Sequence, residues 1–578
     1  MAKKSKNKSA GFRRSLRESL ILSCTSSISA RVTRFFESGF ASPLINSAEN
    51  TDKFFKRNIT RRIENKVGLG RKVFKPARNA VAAFFARDRL FSFFIGLKNR
   101  FLASPLRTAG VFLITFGVYS AAIYILSRYV SKNGSMQPYD LAAAAISFLA
   151  GMLFLLFGEK SILSALGNSR ITGSLLNSAL GINASSLAPV EKGGTAIGLA
   201  FLAGSLCGVI TFFFSPARVL LVLLIAVLTA SIFNVPEFGL LLSVGMLSFA
   251  KASVLLPVIG VTAASYLFKV VRLKRNLRFG TADAIVVPVL VISAFFPSVY
   301  GGSTLTALCF IGIYFLAKNM ICSERLIGQS LNLLCIGLSV GIALYLLGEF
   351  AVYIPLDGLR DAAAAMSAYT FDGSSWAFIC IPTIPVALSR AAKQGSRFRG
   401  LAALAFILAF TVVNDDPLVY ILDIIAVLVY FAFARKAIAG ALLAAAMVLP
   451  SAAVIISDNV FSDGGYFSSF PSAFSNVLPG SDQPIARFFV ILSAVLAAVA
   501  FVLAFQRIFY CHIKNHSRSE VRVLGAIVAS AVMEVAVILC VDPFADVRSL
   551  AMLWFVFGLT GSAYRVYNRS NKGSEVYG

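Results

Sequence analysis

The most informative shortage in this sequence is that of charged residues. Of its 578 residues only 14% are Asp, Glu, Lys or Arg, whereas 57% are hydrophobic, and the mean hydropathy is +0.78. Soluble globular proteins carry about 25% charged residues, so that class is excluded. Apolar runs of about 20 residues, the length that crosses a bilayer core, recur from Thr108 almost to the C-terminus. They lack the alternating pattern of a transmembrane barrel, and therefore predict an all-α polytopic membrane bundle.

Cysteine and histidine are also scarce. The chain has eight Cys and two His, no CxxC motif occurs, and most of the cysteines lie within apolar runs. Neither a disulfide framework nor a zinc site is predicted from this pattern. His512 and His516 fall in a basic segment beside Lys514 and Arg518, so we expect both to be solvated or to face lipid headgroups.

Acidic residues are outnumbered, most strongly at the N-terminus. The whole chain has 27 acidic and 54 basic residues, and residues 1–107 hold 6 acidic and 24 basic ones. Residues 72–102 mix Phe and Leu with Arg and Lys at helix-like spacing, which predicts a partly amphipathic arm on an anionic membrane surface. We find no signal-peptide pattern here and expect the arm to be cytoplasmic. Nucleic acid is disfavoured as its partner because the arm adjoins membrane spans and carries no binding motif.

Placing the Lys- and Arg-rich loops on the cytoplasmic side orients the apolar runs. This predicts about 14 to 16 transmembrane helices in a domain of residues 108–565, with outward loops near 349–373 and 457–487. A short tail, 566–578, would share the cytoplasm with the N-terminus. The basic inner loops are 159–194, 271–281, 317–328, 390–399, 435–436 and 507–522. The predicted spans are 108–126, 139–157, 195–214, 217–233, 236–250, 253–270, 282–300, 303–320, 329–348, 374–389, 400–413, 417–434, 437–456, 488–508, 523–541 and 549–564.

The order of segments around residues 337–437 is distinctive. An aliphatic span ends in GLSVGIALYLLGEF (337–350) and is followed by the acidic linker LDGLRDAAAAMSAYTF (356–371). The proline-containing span CIPTIPVAL (380–388) comes next, and then two spans joined by a very short polar turn (406–437). This order resembles the bacterial O-antigen ligase and O-antigen polymerase superfamily. Residues 540–565 and 104–120 also resemble the last two spans and the first span of that family.

The resemblance implies glycan chemistry on a lipid carrier. Family members are integral membrane glycosyltransferases that move a sugar chain from a polyprenyl-diphosphate donor to an acceptor, at the outer face of the bacterial cytoplasmic membrane. The expected partners are therefore a polyprenyl-diphosphate-linked glycan and, through the N-terminal arm, anionic lipids; the resemblance also allows envelope-polysaccharide assembly proteins. It implies no cofactor, no nucleotide sugar and no metal.

Such a site needs outward arginines for the diphosphate and a carboxylate or His for the acceptor hydroxyl. The candidate catalytic residues are Arg360, Arg487, Asp415 and Asp416. Each has a simpler interpretation. Arg360 can form a surface ion pair with a neighbouring Asp, Arg487 can extend to the membrane surface from its span, and the two Asp can cap the helix that starts at Pro417.

Some expected residues are replaced in this chain. Ser367 stands where the family usually has an Arg before its aromatic stretch, and residues 414–416, Asn-Asp-Asp, stand where it usually has Ser-Arg-Gly. Arg218 and Arg548, which begin predicted spans, are the remaining outward cations. A catalytically inactive scaffold of an envelope-polymer complex is therefore one alternative.

Two carboxyl groups lie inside predicted spans, and they raise a second alternative. Asp423 and Glu534 are costly in hydrocarbon unless they face the bundle interior, carry a proton or pair with a cation. Intramembrane acids of this kind serve as proton relays in transporters. A membrane transporter or flippase therefore remains open beside the glycosyltransferase.

Overall fold

The computed structural model describes residues 104–129, 138–156, 161–162, 164–165, 197–271, 275, 277, 281–295, 304–353, 360–361, 363, 376–414, 417–434, 484–514, 517–540 and 547–576. Within these ranges the regular structure is helical, apart from one isolated bridge between Pro105 and Ser161. This confirms the all-α class. The predicted span 437–456, most of the N-terminal arm and most of both predicted outward loops lie outside the described residues.

The described helices match the other fifteen predicted spans. They are α1 Leu106–Tyr129, α2 Pro138–Leu156, α3 Ile197–Ile210, α4 Pro216–Asn234, α5 Pro236–Met246, α6 Ala252–Val271, α7 Thr281–Phe295, α8 Thr304–Met320, α9 Glu324–Glu349, α10 Ala377–Ala391, α11 Arg397–Asn414, α12 Pro417–Phe433, α13 Pro484–Lys514, α14 Arg518–Cys540 and α15 Val547–Val576.

The helices have the dimensions and surface of a polytopic membrane protein. Of the described helices, seven are long and apolar enough to cross a bilayer, and seven others are apolar but shorter. Large apolar side chains are exposed on them, among them Leu199 at 70%, Phe295 at 77% and Leu156 at 81%. Apolar surface of this extent is costly in water and is expected against lipid.

Two helix boundaries refine the sequence prediction. The helical structure is interrupted between α5 and α6, and Lys251 is exposed in this interruption. The predicted separation of residues 236–270 into two helices is therefore confirmed. The last helix, α15, continues to Val576, well beyond the predicted end of its span at residue 564. The predicted tail is therefore mostly a continuation of this helix.

The chain divides into two compact units, which are described separately. The first unit includes residues 77–243 and 257–276, and the second includes residues 244–256 and 277–578. In the first unit, α1 and α2 approach closely at glycines. A Cβ added at Gly110 would lie 2.8 Å from the carbonyl oxygen of Gly151, and one at Gly151 would lie 2.8 Å from that of Gly110. Close contact through small residues is a common packing mode in membranes.

The second unit is built around α10. Thirteen of the fifteen residues of this helix are buried, and it packs against α9, α11, α12, α14 and α15. It contains Pro382 and Pro385, which lack the N–H groups that would bond to the carbonyls one turn earlier. The Ser530 hydroxyl on α14 donates a 2.6 Å hydrogen bond to the Pro382 carbonyl. A helix with an interrupted backbone thus lies inside protein.

Glycine also permits a close approach to α9 in the second unit. A Cβ at Gly337 would lie only 2.1 Å from the carbonyl oxygen of Gly245. We expect Gly337→Ala to lower the free energy of unfolding by about 1–3 kcal/mol, because backbone must move apart. The measurement is thermal unfolding of the purified protein in detergent. Gly312→Ala is the matched control, because no described atom lies within 4 Å of a Cβ added there. Equal stability of both variants would contradict the packing.

Candidate functional site

The four predicted catalytic residues are placed only in part. Arg360 is exposed and helical in the short described segment 360–361. Arg487 lies in the first turn of α13, and its side chain is outside the described atoms. Asp415 and Asp416 are outside the described residues, between the end of α11 at Asn414 and the start of α12 at Pro417. Their assembly into one site therefore stays a prediction.

The two other outward cations differ sharply in environment. Arg218 is exposed near the start of α4, in the first unit. Arg548, in the second unit, is only 6% exposed, and its Nη1 donates a 3.3 Å hydrogen bond to the carbonyl oxygen of Ala250. Arg548 is therefore buried, although the sequence predicts that it faces outward. Nothing in its sequence position, at the start of an apolar run, distinguishes it from a residue that extends to the membrane surface.

An aromatic cluster joins the ends of three helices in the second unit. The Tyr345 ring lies 5.9 Å from Trp376 and 5.4 Å from Phe410, and Trp376 lies 5.4 Å from Phe410. These residues come from the last turns of α9, the residue before α10 and the last turns of α11. Ring contacts of this kind add about 0.5–1.5 kcal/mol each. The end of α9, the start of α10 and the end of α11 therefore lie close together.

The two carboxyl groups within spans are enclosed by protein. Asp423 on α12 is 2% exposed and Glu534 on α14 is fully buried. Thr411 donates a 2.8 Å hydrogen bond to Asp423 Oδ2. Within the described part of the chain, no group hydrogen-bonds to Asp423 Oδ1 or to either oxygen of Glu534. Both helices pack against α10, so these acids lie in the protein interior, as the cost of burying them in hydrocarbon requires.

A further buried acid is neutralised by a lysine. Asp283, in the first turn of α7, is fully buried and accepts hydrogen bonds at Oδ1 from Lys318 Nζ and, at 2.6 Å, from the Tyr314 hydroxyl. Asp283 lies at a helix N-terminus and Lys318 in the last turn of α8, where the helix dipoles favour these charges. The pair locks two helix ends together. Sequence reasoning missed it because 35 residues separate the partners.

Several predicted inner loops meet at one end of the second unit, which we call the basic end. We define it by residues 321–325, 390–399, 433–434, 512–514, 517–522 and 562–567. The contacts that bring it together include Arg565 Nη2 to the Ile321 carbonyl at 3.0 Å, Arg522 Nη1 to the Ala392 carbonyl at 3.1 Å, and His512 Nε2 with the Phe433 carbonyl at 2.8 Å. The side of the membrane that the basic end faces stays a prediction.

The environment predicted for His512 is wrong. The residue lies near the end of α13 and is only 4% exposed, with its ring next to that of Phe433. Neighbouring Lys and Arg suggested a solvated loop, but α13 extends through this segment to Lys514. His516 lies outside the described residues.

The fold and these buried polar groups define the class: an all-α, polytopic membrane protein with ionisable side chains enclosed in its second unit. Comparisons with protein-family models, with curated proteins and with solved structures found no match to this chain.

The Asp283–Lys318 pair gives a testable prediction. Lys318→Met leaves the Asp283 carboxylate buried without its cation, and we expect a loss of about 3–5 kcal/mol in the free energy of unfolding. The double variant Asp283→Asn, Lys318→Met should recover most of that loss, because no uncompensated charge remains. Unfolding of the purified variants in detergent, by heat or denaturant, provides the measurement. A double variant as unstable as the sum of its single variants would contradict a charge pair.

Proposed function

We propose that this protein is an O-antigen ligase- or polymerase-like membrane glycosyltransferase, which transfers or polymerises a polyprenyl-diphosphate-linked glycan. The observation that carries the proposal is the order of elements in the second unit. The chain passes in turn through helix α9, a linker, the proline-containing α10, the basic turn and the α11–α12 pair. The resemblance rests on this order. The two-residue connection between α11 and α12 supports it further.

The orientation follows from charge. We place the basic end in the cytoplasm, because cytoplasmic loops carry the excess of Lys and Arg, and we assign the protein to the bacterial cytoplasmic membrane with both termini inside. The linker after α9 and the α11–α12 connection would then face outward. The N-terminal arm would contact anionic lipids, and envelope-polysaccharide assembly proteins would be further partners.

The proposed chemistry uses the predicted outward residues. The hydroxyl of an acceptor sugar attacks the anomeric carbon of the donor, and the bond from that carbon to the diphosphate oxygen breaks. Arg360 and Arg487 would stabilise the negative charge of the departing polyprenyl diphosphate. Asp415 or Asp416 would accept the proton of the attacking hydroxyl. No nucleotide sugar or metal takes part in this scheme.

An in vitro transfer assay tests this function. Purified protein is supplied with polyprenyl-diphosphate glycans and acceptor, and products are separated by chain length. We expect Arg360→Ala and Arg487→Ala each to lower the transfer rate about a hundredfold, because each removes a donor to the developing charge. Arg397→Ala is the control, since Arg397 is exposed at the start of α11, in the basic segment 390–399.

The outcomes distinguish the possibilities. Wild-type rates in both variants would contradict the assignment of these arginines. No transfer by folded wild-type protein with genuine donor and acceptor would contradict the enzyme. If the purified protein shows no transfer but cells that lack it no longer make the polymer, the inactive scaffold would be the better explanation.

A transporter or flippase is the second candidate, and the enclosed carboxyls favour it. Asp423 and Glu534 lie on two helices that pack against the same proline-containing helix, α10. A group that can hold a proton in the interior of a membrane protein is suited to coupling proton movement to transport. We give it second place because no matching pair of broken spans, as in repeat-built transporters, is evident in the sequence.

Neutral replacements of these acids separate the two candidates. If the protein is a transporter, Asp423→Asn and Glu534→Gln should each stop substrate movement in proteoliposomes and leave any glycan transfer unchanged. Glu349→Gln, which alters an exposed acid at the end of α9, is the control. Unchanged flux in both buried variants would contradict a proton-coupled role for these residues.

A further inference from the structure

The basic end contains a buried arginine that the proposed function does not use. Arg390 lies in the last turn of α10, is only 2% exposed, and is among the largest fully enclosed side chains of the described residues. Within the described part of the chain, its Nε and Nη2 have no hydrogen-bond acceptor. Guanidinium groups stay charged in proteins, so this side chain needs a partner.

None of the described groups that act on Arg390 electrostatically is a carboxylate. They are Cys335, Tyr430, Tyr567 and a second cation, Arg399. On another side its Nη1 faces Gly328, where an added Cβ would lie 3.6 Å away. Arg399 is half-buried and carries the same charge as Arg390, so it does not neutralise Arg390 and makes the site more favourable for an anion.

The atoms without an acceptor identify the kind of anion. Nε and Nη2 form one edge of the guanidinium, and their N–H groups point in parallel. This edge matches two oxygens of a phosphate or carboxylate in a bidentate contact, which arginine makes and lysine does not. An oxyanion with two oxygens on one atom is therefore the complementary ligand.

The position of the site favours a phosphate carried by a lipid. The turn next to Arg390 presents Lys393, and the adjoining start of α11 presents Arg397 and, between two arginines, Phe398, which is 83% exposed. Aromatic and basic side chains together are typical of the headgroup level of a membrane. We propose that Arg390, assisted by Arg399, binds the phosphate group of an anionic lipid between the helix ends of the basic end.

Lipid-dependent thermal stability tests the proposal. The full chain is purified in detergent, stripped of lipid, and its unfolding temperature is titrated with phosphatidylglycerol, with phosphatidylcholine and with inorganic phosphate. We expect phosphatidylglycerol to raise the wild-type unfolding temperature and to saturate. Arg390→Met should raise the apparent Kd for this lipid about ten- to a hundredfold, the effect of losing a charged hydrogen-bond donor.

Two further variants make the result specific. Arg390→Lys keeps the charge without the paired N–H groups, so it should also bind more weakly than wild type even if Arg390→Met folds poorly. Arg397→Met removes an exposed cation from the same turn and should bind like wild type. A response to inorganic phosphate as well would assign the site to the free anion, with the same residues.

The contrary results are equally clear. If the wild-type unfolding temperature responds to none of the three ligands, the proposal is overturned, and the partner of Arg390 is another part of the chain. If Arg390→Met, Arg390→Lys and Arg397→Met all keep the wild-type affinity, the lipid binds elsewhere. A loss of affinity in Arg397→Met equal to that in the Arg390 variants would indicate only a general attraction of charge.

Discussion

Hydrocarbon offers no hydrogen bonds, and this constraint governs the position of α10. Each backbone group left unsatisfied in lipid costs several kcal/mol, so a helix interrupted by Pro382 and Pro385 must be surrounded by protein. Almost every residue of α10 is buried accordingly, and α14 donates a side-chain hydrogen bond to its backbone. The other helices of the second unit can be understood as the protein environment that this helix requires.

The same constraint explains the polar side chains of the second unit. Asp283 has a lysine and a tyrosine, and Asp423 has a threonine. Glu534 and Arg390 have no described partner of this kind. Those two residues are expensive to bury, so each points to a requirement other than stability: a proton for the acid, and a bound anion for the arginine.

Local features of the sequence predicted the helices well, because a membrane span depends mainly on its own apolar composition. A lysine between two apolar runs predicted the break between α5 and α6. A polar turn before a proline predicted the short connection between α11 and α12. Burial of individual polar residues could not be predicted in this way. Arg218 and Arg548 both stand at the start of an apolar run, yet Arg218 is exposed and Arg548 is enclosed, since that difference depends on helices far away in the chain. His512 was misplaced for the same reason.

The hydrogen bond between Ser530 and Pro382 has a consequence for biosynthesis. Its partners are 148 residues apart, so α10 enters the membrane well before the helix that donates this hydrogen bond has been made. At about 5–20 residues per second, this interval is roughly 7 to 30 s. During that time a short helix that contains two prolines has to remain beside the insertion machinery or pair with α9. Completion of the bundle is therefore a late, cooperative step of synthesis, and chains truncated before α14 should be substrates for membrane proteases.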